Sequence, residues 1–327
     1  MKLYSYSSDV KTNLKIKEVM AFPEMGKPGI GLKKYILEYD SPYKTGIKEN
    51  DCVYAELFLG KNDTLFILVH GFTSNRKKSV NYNSFMYNLV NKNFNCAFIN
   101  LPFHLNRTPS NELSGQRLAG YDDKEILLFF HQSVVDIRKL IDISLDLLPV
   151  KKIIICGISL GTMVSVISMA CDSRISKGIF LIGGGNWNEI HWKGFLRFLL
   201  KGNCTEEGFI TKEKCSQYYK YFPDFLNAFK EIEIKNLSWD LENYPELKQK
   251  TQKMCFLCDP VAFADRINPE NVIMINSKFD HLFSKKSTIK LWEALGKPQA
   301  YWFNRLHTSK MILNPRVFEK IYEFITR

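Results

Sequence analysis

Three side chains that together can cleave an acyl bond occur in this chain in the order Ser159, Asp280, His307. Ser159 lies in Gly157-Ile158-Ser159-Leu160-Gly161, directly after the β-branched run Ile153-Ile154-Ile155 and before an apolar, helix-like stretch reaching about Ala170. Buried strand, sharp turn and helix is the setting in which G-x-S-x-G becomes a nucleophile elbow. A serine at the tip of such a turn is held in a strained conformation that lifts Oγ clear of the sheet, and flanking side chains would collide unless they are glycine. The following helix turns its free N–H groups and the positive end of its dipole toward an oxyanion formed there. The bare pattern is common, and its other reading is an ordinary glycine-rich turn; the strand before it and the helix after it favour the nucleophile.

Asp280 and His307 each fall just past a predicted strand, 271–276 and 299–303 respectively. His281 competes in sequence for the imidazole role. Adjacent to the acid on a tight loop, it is poorly placed to reach Ser159 with Asp280 behind it, so His307 is taken as the base. His70-Gly71-Phe72 ends the apolar run 65–69, where the backbone amide of Phe72 can point at a substrate carbonyl oxygen alongside that of Leu160. The loop Pro102-Phe-His-Leu-Asn-Arg-Thr-Pro109 follows strand 96–101 on the same rim. His104 and Arg107 are therefore candidates for substrate contact, Arg107 through its planar fork to a carboxylate or phosphate. The alternative for Arg107 is that it pins its own loop to nearby backbone carbonyls.

The elements that must position these groups read as an alternating α/β chain. Strands are predicted at 52–59, 65–69, 96–101, 153–155, 177–183, 271–276 and 299–303. Their continuous apolar runs suit a parallel sheet covered on both faces. Helical spacing appears at 79–92, at 121–148 and 286–295, and from about Pro315. In the long segment 121–148, Asp122 and Asp123 suit the first turn, and mid-helix His131 reads as structural. Residues 1–50 alternate weakly and are broken by Pro23, Pro28 and Pro42; they read as an extension or as extra strands packed on the core. Residues 51–185 and 266–327 read as that core. Between them, 186–265 carries three amphipathic, aromatic-rich segments, 187–200, 211–231 and 242–264. Helices inserted at the carboxyl side of a sheet most simply form a cap. The other reading of their apolar surface is a homodimer contact.

Composition is that of an ordinary globular protein: 327 residues, 45% hydrophobic and 24% charged. The net charge of +11 comes from lysines spread along the chain, and no basic arm, RNA-binding signature or zinc finger accompanies it, so no nucleic-acid partner is expected. The eight cysteines are too sparse for a disulfide scaffold. Cys96 and Cys156 fall in buried strands. Cys255-Phe-Leu-Cys258 with Cys204 and Cys215 suggests zinc only weakly, since no second C-x-x-C accompanies it, and no metal is expected. The first twenty residues have no apolar h-region, and no run approaches the ~18 apolar residues of a membrane span, so a cytoplasmic location is expected.

Taken together, Gly157-Ile-Ser-Leu-Gly161, His70-Gly71-Phe72, Asp280 and His307 resemble the α/β-hydrolase superfamily over roughly residues 50–327. The resemblance implies a mostly parallel sheet of about eight strands with helices on both faces and an inserted helical cap. It also implies nucleophile, acid and histidine in the chain order found here. The expected activity is hydrolysis of a carboxylic ester with a small to medium acyl group through an acyl-enzyme, without metal or organic cofactor. The fold also hosts acyltransferases, thioesterases and non-catalytic ligand-binding relatives, which are the rival readings.

Overall fold

A computed structural model of the chain describes residues 1–7, 12–21, 31–72, 74–200, 203–204 and 208–327. Its centre is a nine-stranded sheet in the order β1-β2-β3-β5-β4-β6-β7-β8-β9. The strands are β1 (Lys15–Ala21), β2 (Leu32–Asp40), β3 (Cys52–Phe58), β4 (Thr64–Val69), β5 (Asn95–Ile99), β6 (Lys152–Ile158), β7 (Ile175–Leu181), β8 (Val272–Phe279) and β9 (Gln299–Leu306). From β5 to β9 every neighbouring pair is parallel, while β1, β2 and β3 join antiparallel at one edge. The sheet is therefore mostly parallel as expected, with one strand more than the eight implied. Residues 1–50 supply β1 and β2, hydrogen-bonded directly onto the sheet. Pro23 and Pro28, expected to break this stretch, lie outside the described residues.

Strand periodicity divides the core in two. Along β4, Leu65, Ile67 and Val69 face one layer while Phe66 and Leu68 face the other; along β6, Ile153 and Ile155 oppose Ile154, Cys156 and Ile158. Successive side chains on a strand point to opposite faces, so an unbroken apolar run is what two covered faces require. Helices α2 (Asp123–Leu147) and α3 (Leu160–Cys171) cover the first face. Helix α1 (Arg76–Val90) and helix α5 (Pro315–Thr326) cover the second. Helix α4 (Lys285–Ala294) packs Leu291 against Val166, Phe180 and Met274. Asp122 is the N-cap of α2 and not part of its first turn. Its side chain accepts from the Glu125 amide while Glu125 reaches back to the Asp122 amide, closing a capping box.

Residues 186–265 leave the sheet after β7 and return at β8 in shorter pieces than the three segments expected. The helices are Trp187–Lys193, Lys212–Tyr218, Phe222–Lys230 and Pro245–Lys250, with 3₁₀ turns at Phe195–Phe198, Ile234–Asn236 and Met254–Cys258, a helical turn at Pro260–Phe263 and a 3₁₀ turn at Ala264–Arg266. Several of the breaks have a local cause. A Cβ on Gly194 would lie 1.9 Å from the Leu282 carbonyl oxygen, so the chain there runs extended against the Asp280 loop. Proline occupies the first or second position of the pieces starting at Phe222, Pro245 and Pro260. The N-terminus ties this region to α2: the Leu3 amide donates to Leu237, the hydroxyl of fully buried Tyr4 donates to Leu257, and the Tyr4 amide donates to His131 Nδ1. His131 is thus structural, as read from its mid-helix position. No helix among the described residues is long and apolar enough to cross a membrane.

Candidate active site

Four strands end on the four loops of interest. His70 follows β4, Ser159 follows β6, Asp280 follows β8 and His307 follows β9. Parallel neighbours bring these carboxyl ends to one rim, where α/β sheets carry their sites.

The turn at Ser159 is as tight as its glycines suggested. Ser159 has φ 58° and ψ −118°, a conformation that costs a non-glycine residue on the order of 1–3 kcal/mol. Added Cβ atoms would meet the Gly161 oxygen at 2.3 Å from Gly157 and the Val69 oxygen at 2.2 Å from Gly161. Both clashes are with backbone, which cannot yield. The Ser159 amide is spent on the Leu181 carbonyl (2.9 Å), and Thr162 Oγ1 reaches both the Gly157 and the Leu181 carbonyl oxygens (2.8 Å each). Leu160 is the first residue of α3, where helix geometry leaves the amide without an intrahelical acceptor.

His307 Nε2 lies 2.9 Å from Ser159 Oγ, and its Nδ1 lies 2.8 Å from Asp280 Oδ2. The other oxygen, Asp280 Oδ1, accepts from the amides of Leu282 and Phe283, both at 2.9 Å, which fixes the carboxylate plane. Both side chains are nearly buried, at 7% exposure for His307 and 9% for Asp280. The His281 ring sits between those of Phe195 and His307, at 6.3 and 6.2 Å between centroids, and its carbonyl accepts from the Phe195 amide; the imidazole that reaches Ser159 Oγ is that of His307. The structure thus brings together the three side chains that the sequence placed in order.

Gly71 packs against Ser159: a Cβ there would lie 3.2 Å from Ser159 Cβ. Phe72, next in the chain, lines the cavity beside Ser159. The loop is braced from behind by His70, Ser74 and Tyr82. Ser74 Oγ donates to the Gly71 carbonyl at 2.8 Å and meets the Tyr82 hydroxyl at 3.0 Å. Ser74 and Tyr82 were not singled out in the sequence, where nothing distinguishes them from ordinary helix-start and helix-face residues.

His104 and Arg107 do not line the cavity, and the expectation that they contact substrate is corrected. Arg107 is fully buried; Nε and Nη2 donate to the Asn50 carbonyl, and Nη1 donates to the Asn100 carbonyl and to Asp136 at 2.8 Å. Its fork pins the loop to backbone and to α2, the alternative considered for it, because a buried guanidinium needs its donors satisfied. Burial also raises the Asp136 carboxyl above its ordinary range despite that partner. His104 is equally buried, with Nε2 2.5 Å from the Phe72 carbonyl and Nδ1 2.8 Å from that of Pro102. Burial pushes its pKa down to about 4 against the pull of the two carbonyls. It holds the loop that carries Phe72.

A cavity of about 100 Å³ opens on Ser159 and His307. Its walls are mostly apolar, with Leu118, Met163, Trp187, Ile190, Leu196 and Phe283 among them, and Ser74, Lys78 and Ser309 add polar groups. Residues 187–200 therefore supply one side. They are anchored by Asp259, a carboxylate missed in the sequence although Asp259-Pro260 is a helix-start signal. Asp259 Oδ1 accepts from the Asn186 amide and Oδ2 from the Trp187 amide, each at 2.9 Å.

No family model matches the chain. Over 69 residues it is 28% identical to the uncharacterized protein YdjC of Bacillus subtilis (strain 168), covering 21% of this chain and 60% of that protein. Solved structures resemble it over most of its length. An acetyl xylan esterase from Paenibacillus sp. R4 superposes with a TM-score of 0.56 at 12% identity, covering 97% of this chain and 89% of that one. A cold-adapted esterase from an Arctic intertidal metagenomic library gives 0.54 at 13%, covering 94% and 98%. Acetyl xylan esterase 1 from Thermoanaerobacterium sp. JW/SL YS485 gives 0.51 at 15%, covering 96% and 89%. At such identities the likeness is one of architecture, and with the mixed sheet and its flanking helices it shows that this chain has the α/β-hydrolase fold.

Proposed function

We propose that the protein is a serine hydrolase that cleaves a carboxylic ester, with Ser159 as nucleophile, His307 as general base and acid, and Asp280 as the group that orients the histidine. The observation that carries this reading is the pair of contacts on one imidazole, 2.9 Å to Ser159 Oγ and 2.8 Å to Asp280 Oδ2. That geometry lets Nε2 take the Oγ proton while Asp280 fixes the tautomer and stabilises the imidazolium.

Attack of Oγ on the ester carbonyl carbon forms a tetrahedral intermediate whose oxyanion is held by the amides of Phe72 and Leu160. Each such donor contributes on the order of 3 kcal/mol to the barrier. His307 then gives its proton to the leaving alcohol, and the acyl group remains on Ser159. Water, deprotonated by His307, attacks the acyl carbon; the carboxylic acid leaves and Oγ recovers its proton. Residues 186–265 serve as a cap that closes the acyl side of the site and limits water. The esterases of similar fold are consistent with this chemistry.

Ser159→Ala tests the assignment. Hydrolysis of p-nitrophenyl esters should fall by on the order of 10⁴-fold or more, with the melting temperature little changed. Undiminished hydrolysis by the folded variant would overturn it.

A further inference from the structure

Behind the cavity at Ser159 lies a second one of about 80 Å³, and the two share Leu118, Ile126, Trp187 and Leu200 as common walls. We propose that this second chamber receives the distal part of a linear, medium-length acyl chain threaded past Trp187. The substrate class is then a fatty ester with an uncharged tail, and not an acetyl ester. This inference rests on the ester-hydrolase reading and names the acyl group it takes.

The far walls of the chamber are Ile210, Trp192 and the thiols of Cys204, Cys215 and Cys255. Buried thiols behave as small apolar groups, and burial raises the pKa of Cys215 and Cys255, so both stay protonated. The polar groups that face this space are engaged or neutral. Asp122 accepts from the Glu125 amide at 2.8 Å, and Asp123 accepts from the Met254 amide at 2.9 Å. Burial lowers His191 to about 4, leaving its ring uncharged at neutral pH, and raises the Tyr121 hydroxyl. Among the described residues, no lysine or arginine lines this chamber. A carboxylate or phosphate tail would find no counter-ion there, and the open donors are the neutral indole N–H groups of Trp187 and Trp192, too few for the several hydroxyls of a sugar.

The boundary between the chambers is a fixed point. The Trp187 amide is held by Asp259 at 2.9 Å, and its indole meets Phe130 edge-on at 5.8 Å between ring centroids. A short acyl group attached to Ser159 would end before this point and leave the second chamber unused. A longer chain would pass it, and each methylene then taken from water into apolar surroundings is worth up to about fourfold in affinity.

The test uses the whole protein and p-nitrophenyl acetate, butyrate, octanoate and dodecanoate, with fluorophosphonate labelling of Ser159 run in parallel. The expected wild-type result is a kcat/KM for octanoate at least about tenfold above that for acetate. Cys215→Trp and Ile210→Trp, which place an indole in the second chamber, should each lower the octanoate-to-butyrate ratio by about tenfold or more. Labelling of Ser159 with acetate preferred in the wild type overturns the chamber's role, whether or not the variants fold. So does an unchanged ratio in a variant that melts as the wild type does. Absence of labelling at Ser159 overturns the underlying hydrolase reading, and the chamber's role with it.

Discussion

Nδ1 of His70 lies 2.9 Å from the carbonyl oxygen of Gly71, in the peptide unit whose other end is the Phe72 amide. His70 Nε2 accepts from the Leu101 amide at 3.1 Å, so the single ring proton sits on Nδ1 and is donated to that oxygen. Ser74 Oγ donates to the same oxygen. In a planar trans peptide the carbonyl and the N–H point in opposite directions. Two donors fastened to the Gly71 oxygen therefore aim the Phe72 N–H the other way. His70 is in this account a positioning residue, acting through the backbone.

His70→Ala should therefore lower kcat by on the order of 10²-fold, the scale of losing one oxyanion donor, while changing KM little. His70→Asn, whose amide can donate to Gly71 and accept from Leu101, should recover part of the loss. Steady-state kinetics on both variants checks this. An effect confined to KM would contradict the positioning role.

Arg107 belongs to the scaffold. Its contact with Asp136 is a fully buried ion pair at 2.8 Å. Removing one partner leaves the other charged and unpaired, which costs about 3–5 kcal/mol. Arg107→Ala should lower the denaturant midpoint sharply, and Arg107→Lys should restore little, because an ammonium cannot replace the fork that reaches Asn50, Asn100 and Asp136 together. A variant of unchanged stability with a raised KM would instead favour a substrate-binding role.

The elbow tolerates no side chain at either flank. Gly161→Ala would drive a methyl into the Val69 carbonyl and Gly157→Ala into that of Gly161, at 2.2 and 2.3 Å. Both variants should lose soluble, folded protein or, where they fold, should label far more slowly with a fluorophosphonate. Gly46 provides the control: it has φ 81° but open space around its Cβ position. Gly46→Ala should therefore cost only backbone strain, about 1 kcal/mol.

Acid should weaken the fold through its histidines. Burial holds His104, His131 and His191 near pKa 4, below their ordinary value of 6.5, and holds His70 well below it too. Between these values the unfolded chain binds protons that the folded chain refuses. The stability contribution is therefore complete above about pH 6.5 and is lost as pH falls toward about 4. Urea unfolding of wild type and His131→Gln across this range isolates one such group. The variant should lose less stability on acidification, since glutamine accepts the Tyr4 amide without titrating. Parallel curves would contradict the assignment.

Much of this was legible in the sequence because the site is tied to strand ends. Ser159, Asp280 and His307 each follow a strand by one residue, and a continuous apolar run such as Leu65-Phe-Ile-Leu-Val marks a strand covered on both faces. Arg107 misled for a physical reason: a loop on the functional rim can aim its arginine outward or inward, and the partner that decides, Asp136, lies 29 residues away on a helix. The pieces of 186–265 were too short for helical periodicity to resolve, and Gly194 breaks the first only because Leu282 packs against it. The His70 and Ser74 contacts on Gly71 depend on side-chain directions that spacing does not encode. The weak alternation in residues 1–50 did belong to strands, with β1 at the sheet edge, where one side of the pairing is missing.

The central claim is that Ser159 is a nucleophile activated by His307. Intact-mass measurement after incubation with a fluorophosphonate, followed by peptide mapping, tests it most directly. The expected result is one adduct per chain, on Ser159, lost when the protein is unfolded by heat before labelling and strongly slowed in His307→Ala. An adduct on another residue, or none under conditions that label a control serine hydrolase, would contradict the account.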